Sequence, residues 1–174
     1  MGHPVLIAAE LQSLLEPEHV AGLDVTWVPA EQPTPRGDYV AVVPLLSRWI
    51  GGTELKHLPN LRVIATCGVG HDNVDVVAAE MRGVKVTNTP DVLTDATADL
   101  TWALILACAR RVVEGAELMR SGTWTGWRPQ LLLGLELRGR TLGLLGAGRV
   151  GQAVGRRSTT EGFRAKPSPF TWRP

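Results

Sequence analysis

Short apolar runs alternate with segments of helical spacing along the first ninety residues. The pattern predicts strands over 5–8, 25–28, 39–43, 62–65 and 84–87, and helices over 11–15 and 74–81. Gly83 follows the second helix and suits the left-handed position that ends many helices. Segment 29–37 holds three prolines without apolar periodicity and is predicted as a loop. The alternation is typical of parallel strands joined by helices.

A single long helix is predicted from the acidic residues after Pro90 to about residue 120. Asp91, Asp95 and Asp99 precede or open it, where negative charge meets the positive end of the helix dipole. Apolar residues follow helical spacing within it, and the residues between them are also largely apolar. We therefore expect a helix buried on most sides, with these positions inside: Leu100, Ala103, Leu104, Ala107 and Cys108.

The sequence after residue 120 divides into three parts: a loop, a strand followed by a helix, and a tail without a regular pattern. Segment 121–129 is rich in glycine and tryptophan and is predicted to be an ordered loop. A strand is predicted over 141–145 and a helix from 150 to about 157, after which the pattern fails. Pro167 and Pro169 argue against a central strand there, because proline cannot donate to a ladder.

A glycine signature, Gly146-Ala147-Gly148-Arg149-Val150-Gly151, lies between that strand and helix. In a GxGxxG turn the first glycine makes the tight turn, the second lets a diphosphate approach the backbone, and the third allows close packing. By itself the pattern also fits a plain strand–helix turn. The flanking strand and helix favour dinucleotide binding. The acidic residue expected about 20 positions later to bind the ribose is missing, so the sequence leaves NAD and NADP open.

Composition and charge narrow the class of protein. Hydrophobic residues make up 44% and charged residues 20%, which fits a folded globular chain. A net charge of +1 without a basic stripe argues against nucleic acid as a partner. The longest nearly apolar run, 100–109, is half the ~20 residues that span a bilayer, and no secretory signal is visible, so we expect no membrane association and a cytoplasmic protein. Cys67 and Cys108 lie far apart without a zinc pattern and are predicted to be reduced and buried.

Four ordered segments resemble the D-isomer-specific 2-hydroxyacid dehydrogenases. They are the run around Cys67-Gly68-Val69-Gly70 (63–75), the run from Asn88 to Asp99, the paired tryptophans of 124–129, and 143–157. The second segment and the tryptophans look most like the glyoxylate/hydroxypyruvate reductase branch. The resemblance covers about residues 5–157.

The resemblance implies an α/β fold with two domains and a cleft between them that holds cofactor and substrate. Residues 1–95 would form a flavodoxin-like substrate domain. Residues 96–157 would supply the connecting helix and the first βα unit of a Rossmann nucleotide-binding domain, here incomplete. Residues 158–174 would be a divergent tail. The full-length protein would be a homodimer.

The resemblance also implies roles for individual residues. The N–H groups of Val69 and Gly70 would hold the carboxylate of a small 2-oxo acid, although a plain strand-end turn is the alternative. Leu46 would line the side-chain pocket or simply be a core leucine, and Trp127 would reach a partner subunit's active site or pack in a dimer interface. Further residues would contact NAD or NADP, with Thr97 otherwise an ordinary first-turn residue and Arg149 otherwise a surface charge. These cofactor-binding residues are Thr97, Gly146, Gly148, Arg149, Val150 and Gly151.

The activity implied is NAD(P)H-dependent reduction of glyoxylate or hydroxypyruvate to the D-2-hydroxy acid. The family's proton-donating histidine, its glutamate partner and its substrate-binding arginine would lie beyond residue 174, and His71 is not a substitute. We therefore expect no catalytic residue in this chain and an inactive fragment, produced by a frameshift, a gene-model error or a premature stop. Two alternatives stay open: a non-catalytic nucleotide-binding regulator, and a family dehydrogenase acting on phosphoglycerate or formate.

Overall fold

The computed structural model describes residues 2–160 and 164–167. The chain divides into two units, Met1–Pro90 and Asp91–Pro174.

The first unit is built on five parallel strands. Their order across the sheet is β2-β1-β3-β4-β5, the flavodoxin-like arrangement. All five predicted strands agree with the observed ones to within two residues at each end, and the third begins at Ala41 rather than at Tyr39. The strands are β1 (His3–Ala8), β2 (Leu23–Val28), β3 (Ala41–Val43), β4 (Val63–Ala65) and β5 (Lys85–Thr87).

Both faces of this sheet are covered. Successive side chains of a strand point to opposite faces, so one strand contributes to two separate buried clusters. Leu6 of β1 joins one buried cluster with Val42 and Ile64, whereas its neighbours Val5 and Ile7 join a second cluster. The connections supply the covering residues. They are two 3₁₀ helices (Ala9–Leu14 and Pro17–Val20), α1 (Gly52–His57) and α2 (Val76–Glu80). Gly83 follows α2 with φ +71°, as predicted.

The proline-rich segment 29–37 is a loop, as predicted, and a buried arginine holds it. Arg48 is 6% exposed and donates to the carbonyl oxygens of Gln32 (2.8 Å) and Pro29 (2.5 Å). Glu10 accepts the Ala30 N–H at 2.7 Å, and this bond holds the pKa of the Glu10 carboxyl below its ordinary value. The loop thus has fixed anchors although its sequence shows no periodicity.

The second unit pairs two helices beside a short sheet. The helix α3 (Thr94–Ala109) packs on a later helix, α5 (Arg149–Thr160), through Ala98 and Trp102 against Ala153 and Val154. Its remaining elements are α4 (Val112–Arg120) and the parallel strands β6 (Thr141–Leu144) and β7 (Arg164–Pro167). Segment 121–129 carries neither helix nor strand, as predicted.

The prediction of one helix from Pro90 to residue 120 is wrong. The helix ends at Ala109, and Arg111 takes a left-handed backbone conformation, φ 53°, before α4 begins. The Leu135 N–H donates to the Ala109 carbonyl at 2.7 Å. In a continuous helix that carbonyl would accept the N–H of the residue four positions later. The carbonyl that would continue the helix is thus bound by a segment 26 residues later, a contact that no local pattern indicates.

The predicted burial of α3 is also wrong. Only Ala98 and Trp102 of this helix are buried, whereas Leu100 and Leu104 are 59% and 58% exposed, and Ala103 is exposed as well. Cys67 and Cys108 are exposed free cysteines, not the buried thiols that the sequence suggested. Apolar composition identified the helix but not which of its sides is covered in this chain.

The tail contains a strand, but it belongs to a two-stranded sheet and is not the central strand that the prolines argued against. Residues 164–167 pair in parallel with β6, and Pro167 is the last residue of the pairing, opposite Leu144. Proline at the end of a strand removes little from a ladder, which explains why the strand forms. Within the part of the chain that is described, no helix is long and apolar enough to cross a membrane.

Candidate functional site

The hydrogen bonds between β4 and β5 continue into the turn that follows β4. The Thr66 N–H donates to the Thr87 carbonyl and the Thr89 N–H to the Gly68 carbonyl, both at 2.9 Å. Asn88 continues the same edge with its side chain, whose amide Nδ2 donates to the Val69 carbonyl at 2.8 Å. The carbonyl oxygens of two successive residues, Gly68 and Val69, are thereby held on the β5 side.

The N–H groups of Val69 and Gly70 are the predicted carboxylate binders. Among the described residues neither N–H donates a hydrogen bond, and Val69 is 52% exposed. Two neighbouring unpaired amides can bind one anion. The structure therefore leaves available the donors that the resemblance assigned to a substrate carboxylate, although their role remains a prediction.

Leu46 lies directly against this turn. A Cβ placed on Gly68 would meet three side-chain carbons of Leu46 at 3.2–3.5 Å, so the glycine makes room for the leucine. At 51% exposure Leu46 is not a core residue, so the alternative interpretation from sequence is excluded. The structure thus brings together Leu46, Val69 and Gly70.

Asn73 joins the loop that carries Leu46 to the turn that carries Val69. Its Nδ2 donates to the carbonyls of Leu45 (3.1 Å) and Arg48 (3.0 Å), and its own carbonyl accepts the Ile50 N–H at 2.8 Å. Asn73 is buried, and among the described residues its Oδ1 has no hydrogen-bond partner. Sequence reasoning missed both Asn73 and Asn88, although each stands inside a segment that carried the resemblance.

A negative charge lies beside the same turn. Oδ2 of Asp72 is 3.6 Å from the position that a Cβ would take on Gly70. A bound carboxylate would be repelled by this group. Attraction for an anion must therefore come from the two N–H groups and not from the net charge of the turn.

In the second unit, the glycine signature forms the strand–turn–helix that its motif requires. The first glycine, Gly146, has φ +94°, which side-chain-bearing residues rarely adopt. A Cβ on Gly151 would collide with the Gly146 carbonyl oxygen, so the third glycine allows α5 to begin close to the turn. A Cβ on Gly148 would meet no protein atom within 4 Å. Protein packing does not require the second glycine, but a diphosphate lying on the turn would, so these residues fit a dinucleotide.

The first turn of α5 carries the other predicted cofactor contacts. Arg149 is the first residue of α5 and forms an ion pair with Asp91, with 2.8 Å between Nε and Oδ1. Val150 follows it and is partly exposed, and Thr97 is exposed in the first turn of α3. Helix N-termini favour anions.

Another arginine of α5, Arg157, binds Asp95 and Asp99, two of the acidic residues near the start of α3. Arg157 contacts Asp99 (2.7 Å) and Asp95 (3.1 Å), and these hydrogen bonds raise the pKa of its guanidinium. The aspartates predicted to serve the helix dipole are therefore also partners of α5. No local pattern indicates these pairs, because they join residues 58 and 62 positions apart.

Trp127 lies in the loop 121–129 and is 81% exposed. Its assignment to a partner subunit stays a prediction. Within the described ranges no group of three or more histidine, cysteine or acidic side chains could hold a metal ion.

Comparison with known proteins decides the family. Residues 37–165 match the model of the D-isomer specific 2-hydroxyacid dehydrogenase catalytic domain. The chain belongs to this family. Glyoxylate reductases are among the similar curated proteins: that of Thermococcus gammatolerans is 49% identical over 131 residues, 73% of this chain and 39% of the relative, and that of Aeropyrum pernix is 51% identical over 128 residues, 71% and 38%.

Solved structures share the fold. A Thermus thermophilus protein matches with a TM-score of 0.81 at 40% identity, covering 97% of this chain and 58% of its own. An NADPH-dependent glyoxylate/hydroxypyruvate reductase from Sinorhizobium meliloti, in complex with NADP and malonate, matches with a TM-score of 0.78 at 30% identity, covering 100% and 58%. This 2-hydroxyacid dehydrogenase chain thus spans about two fifths of the curated relatives' length and somewhat over half of the structural ones.

Proposed function

We propose that the protein binds a small 2-oxo acid and a nicotinamide dinucleotide, as part of an NAD(P)H-dependent reductase acting on glyoxylate or hydroxypyruvate. The observation that carries the proposal is the pair of unpaired N–H groups at Val69 and Gly70, with Leu46 against the same turn. The similarity to glyoxylate reductases over 128–131 residues supports this substrate class.

The substrate carboxylate would accept hydrogen bonds from the Val69 and Gly70 amides. Charge-assisted bonds of this kind are about twice as strong as neutral ones. Leu46 would contact the substituent on the oxo carbon. Because this leucine stands over Gly68, a small group such as the hydrogen of glyoxylate or the hydroxymethyl of hydroxypyruvate would be favoured.

The dinucleotide would lie on the glycine turn of the second unit. Gly148 leaves room for the diphosphate, the first N–H groups of α5 and the Arg149 guanidinium would bind it, and Val150 and Thr97 would contact neighbouring parts. Once bound, the nicotinamide supplies the hydride that reduces the oxo carbon. We propose that the cofactor is NAD or NADP. The residues that would discriminate between the two follow β7 and lie outside the described residues. The complex of the Sinorhizobium reductase with NADP and malonate supports a dinucleotide and a carboxylate as ligands.

We further propose that these 174 residues bind without turnover and that the intact enzyme is a homodimer. By resemblance, the proton donor and the substrate-binding arginine have no counterpart in the chain. A histidine acting as general acid contributes typically 10²–10⁴-fold, so its absence removes most of the rate. Purified chain mixed with NADPH and glyoxylate should oxidise the cofactor no faster than a protein-free control.

A chimera tests the substrate class. Residues 1–157 of this chain are joined to the remaining part of the Thermococcus gammatolerans glyoxylate reductase, with that parent enzyme as the control. The relative supplies the chemical groups, so the substrate preference reports on residues of this chain. We expect NADPH oxidation with glyoxylate and hydroxypyruvate, and far less with bulkier 2-oxo acids. A folded chimera that binds NADPH but reduces neither acid would contradict the proposal and favour a nucleotide-binding regulator.

A further inference from the structure

The geometry assigns to Asn88 the orientation of the two N–H groups that would bind the substrate carboxylate. We infer that Asn88 is a positioning residue of the substrate turn. The inference rests on the proposed function, because it concerns the same turn, but it adds a residue that acts through the Val69 carbonyl.

Peptide planarity carries the first step. A trans peptide holds its C=O and its N–H in one plane and pointing in opposite directions. The described residues contain no cis peptide bond. The Val69 carbonyl shares its peptide with the Gly70 N–H, so fixing that oxygen also fixes the direction of that hydrogen.

Asn88 fixes the oxygen. Its Nδ2 donates to the Val69 carbonyl at 2.8 Å, which draws the oxygen toward the β5 edge. The Gly70 N–H must then point away from β5. The same holds one residue earlier, where the Thr89 N–H binds the Gly68 carbonyl at 2.9 Å and so turns the Val69 N–H away from β5.

The two hydrogen bonds, from Asn88 and from Thr89, differ in how much they depend on the identity of the residue. The Thr89 bond is between backbone atoms and continues the pairing of β4 and β5, so almost any residue at 89 could make it. The Asn88 bond depends on a side chain with an N–H donor of the right length. Residue 88 therefore controls the Gly70 amide specifically, whereas strand pairing controls that of Val69.

The Asn88 bond contributes little to the fold. Asn88 is exposed, and an exposed hydrogen bond exchanges with water at small net gain. The neighbouring Asp72 carboxylate makes the orientation more important, because an amide aimed slightly wrongly would leave a bound anion facing that negative charge. Asn88→Ala should therefore leave stability close to that of the parent while reducing anion affinity.

The test uses the full 174-residue chain, labelled with ¹⁵N, and oxamate as an unreactive 2-oxo acid analogue. Oxamate is titrated against the parent, Asn88→Ala, Asn88→Asp and the control Asn60→Ala. Asn60 is a matched control because its Nδ2 also makes one exposed bond in the same unit, to Asp38 at 3.0 Å. Residual dipolar couplings of the Gly70 and Val69 N–H groups are measured without ligand, and melting temperatures are recorded for all four proteins.

We expect oxamate to shift the Val69 and Gly70 amides of the parent, with an affinity about tenfold lower in both Asn88 variants, as the loss of one charge-assisted hydrogen bond implies. The coupling of the Gly70 N–H should change in Asn88→Ala, that of Val69 much less, and Asn60→Ala should match the parent in both.

Two results would overturn the inference in distinguishable ways. If the parent binds oxamate at these amides and Asn88→Ala binds it equally well with an unchanged Gly70 coupling, Asn88 has no positioning role and the proposed function stands. If oxamate shifts neither amide in the parent, the substrate turn itself is wrong, and the role of Asn88 falls with it.

Discussion

At the scale of single residues, the three glycines of the signature have different structural roles. Gly146 supplies a positive φ and Gly151 allows contact with the Gly146 carbonyl, whereas Gly148 faces space that holds no protein atom. Only the second glycine is explained by a ligand.

A pair of alanine substitutions separates these roles. Gly148→Ala should change the free energy of unfolding by less than about 0.5 kcal/mol but lower NADPH affinity at least tenfold, because the methyl group occupies the diphosphate's space. Gly151→Ala should lower stability by about 1–3 kcal/mol, because its Cβ collides with the turn. Urea unfolding and fluorescence titration measure the two quantities. Equal effects on stability, or unchanged affinity in Gly148→Ala, would contradict this division.

Sequence named the proposed ligand-binding residues but not the residues that hold them in place. Val69, Gly70 and Leu46 came from the resemblance, and the structure places Leu46 against the turn that carries the other two. Asn73 and Asn88 form hydrogen bonds to carbonyls 19–28 residues away, and such pairings have no local signature. The exposure of Cys67 and Cys108 was mispredicted for a similar reason, since composition does not say which neighbours cover a side chain.

At the scale of elements, α3 and α5 are joined by an apolar contact and by one arginine. The Trp102 Nε1 donates to the Val154 carbonyl at 3.0 Å inside the buried cluster. Arg157 adds two carboxylate contacts at the rim, where its side chain is 29% exposed and those of Asp95 and Asp99 are mostly exposed. The apolar contact should therefore dominate.

Arg157→Gln should lower the free energy of unfolding modestly at low salt, since it removes two ion pairs with mostly exposed carboxylates and each such pair contributes little. The loss should shrink at 1 M salt, where the screening length falls to about 3 Å. Arg111→Gln is the control, because it removes a single exposed pair with Glu114 and should cost less. Urea unfolding at both salt concentrations measures this. A salt-independent loss in Arg157→Gln would assign it to packing instead.

Element type was predicted well, and element ends poorly where a distant segment sets them. Strands β1 to β6 follow apolar runs that sequence displays directly. The break at Arg111 depends on the Leu135 N–H, and β7 forms because its proline stands at the end of the pairing. Both features are set by contacts between segments more than 20 residues apart.

At the scale of the whole molecule, each unit carries one of the two proposed binding turns. The first unit holds the unpaired amides of Val69 and Gly70 beside Leu46, and the second holds the glycine turn before α5. The family's two ligands, an oxo acid and a dinucleotide, would thus be recognised by separate units of this chain.

The most direct test of this account is a ¹H–¹⁵N titration of the purified chain with oxamate and, separately, with NADPH. Oxamate should shift the amides of Val69 and Gly70 and leave the glycine turn unchanged, whereas NADPH should shift the amides of Gly146, Gly148 and Gly151. Saturable shifts in these two sets would support one carboxylate-binding turn and one diphosphate-binding turn. A folded chain in which NADPH leaves the glycine turn unchanged, or in which oxamate leaves the amides of Val69 and Gly70 unchanged, would contradict it.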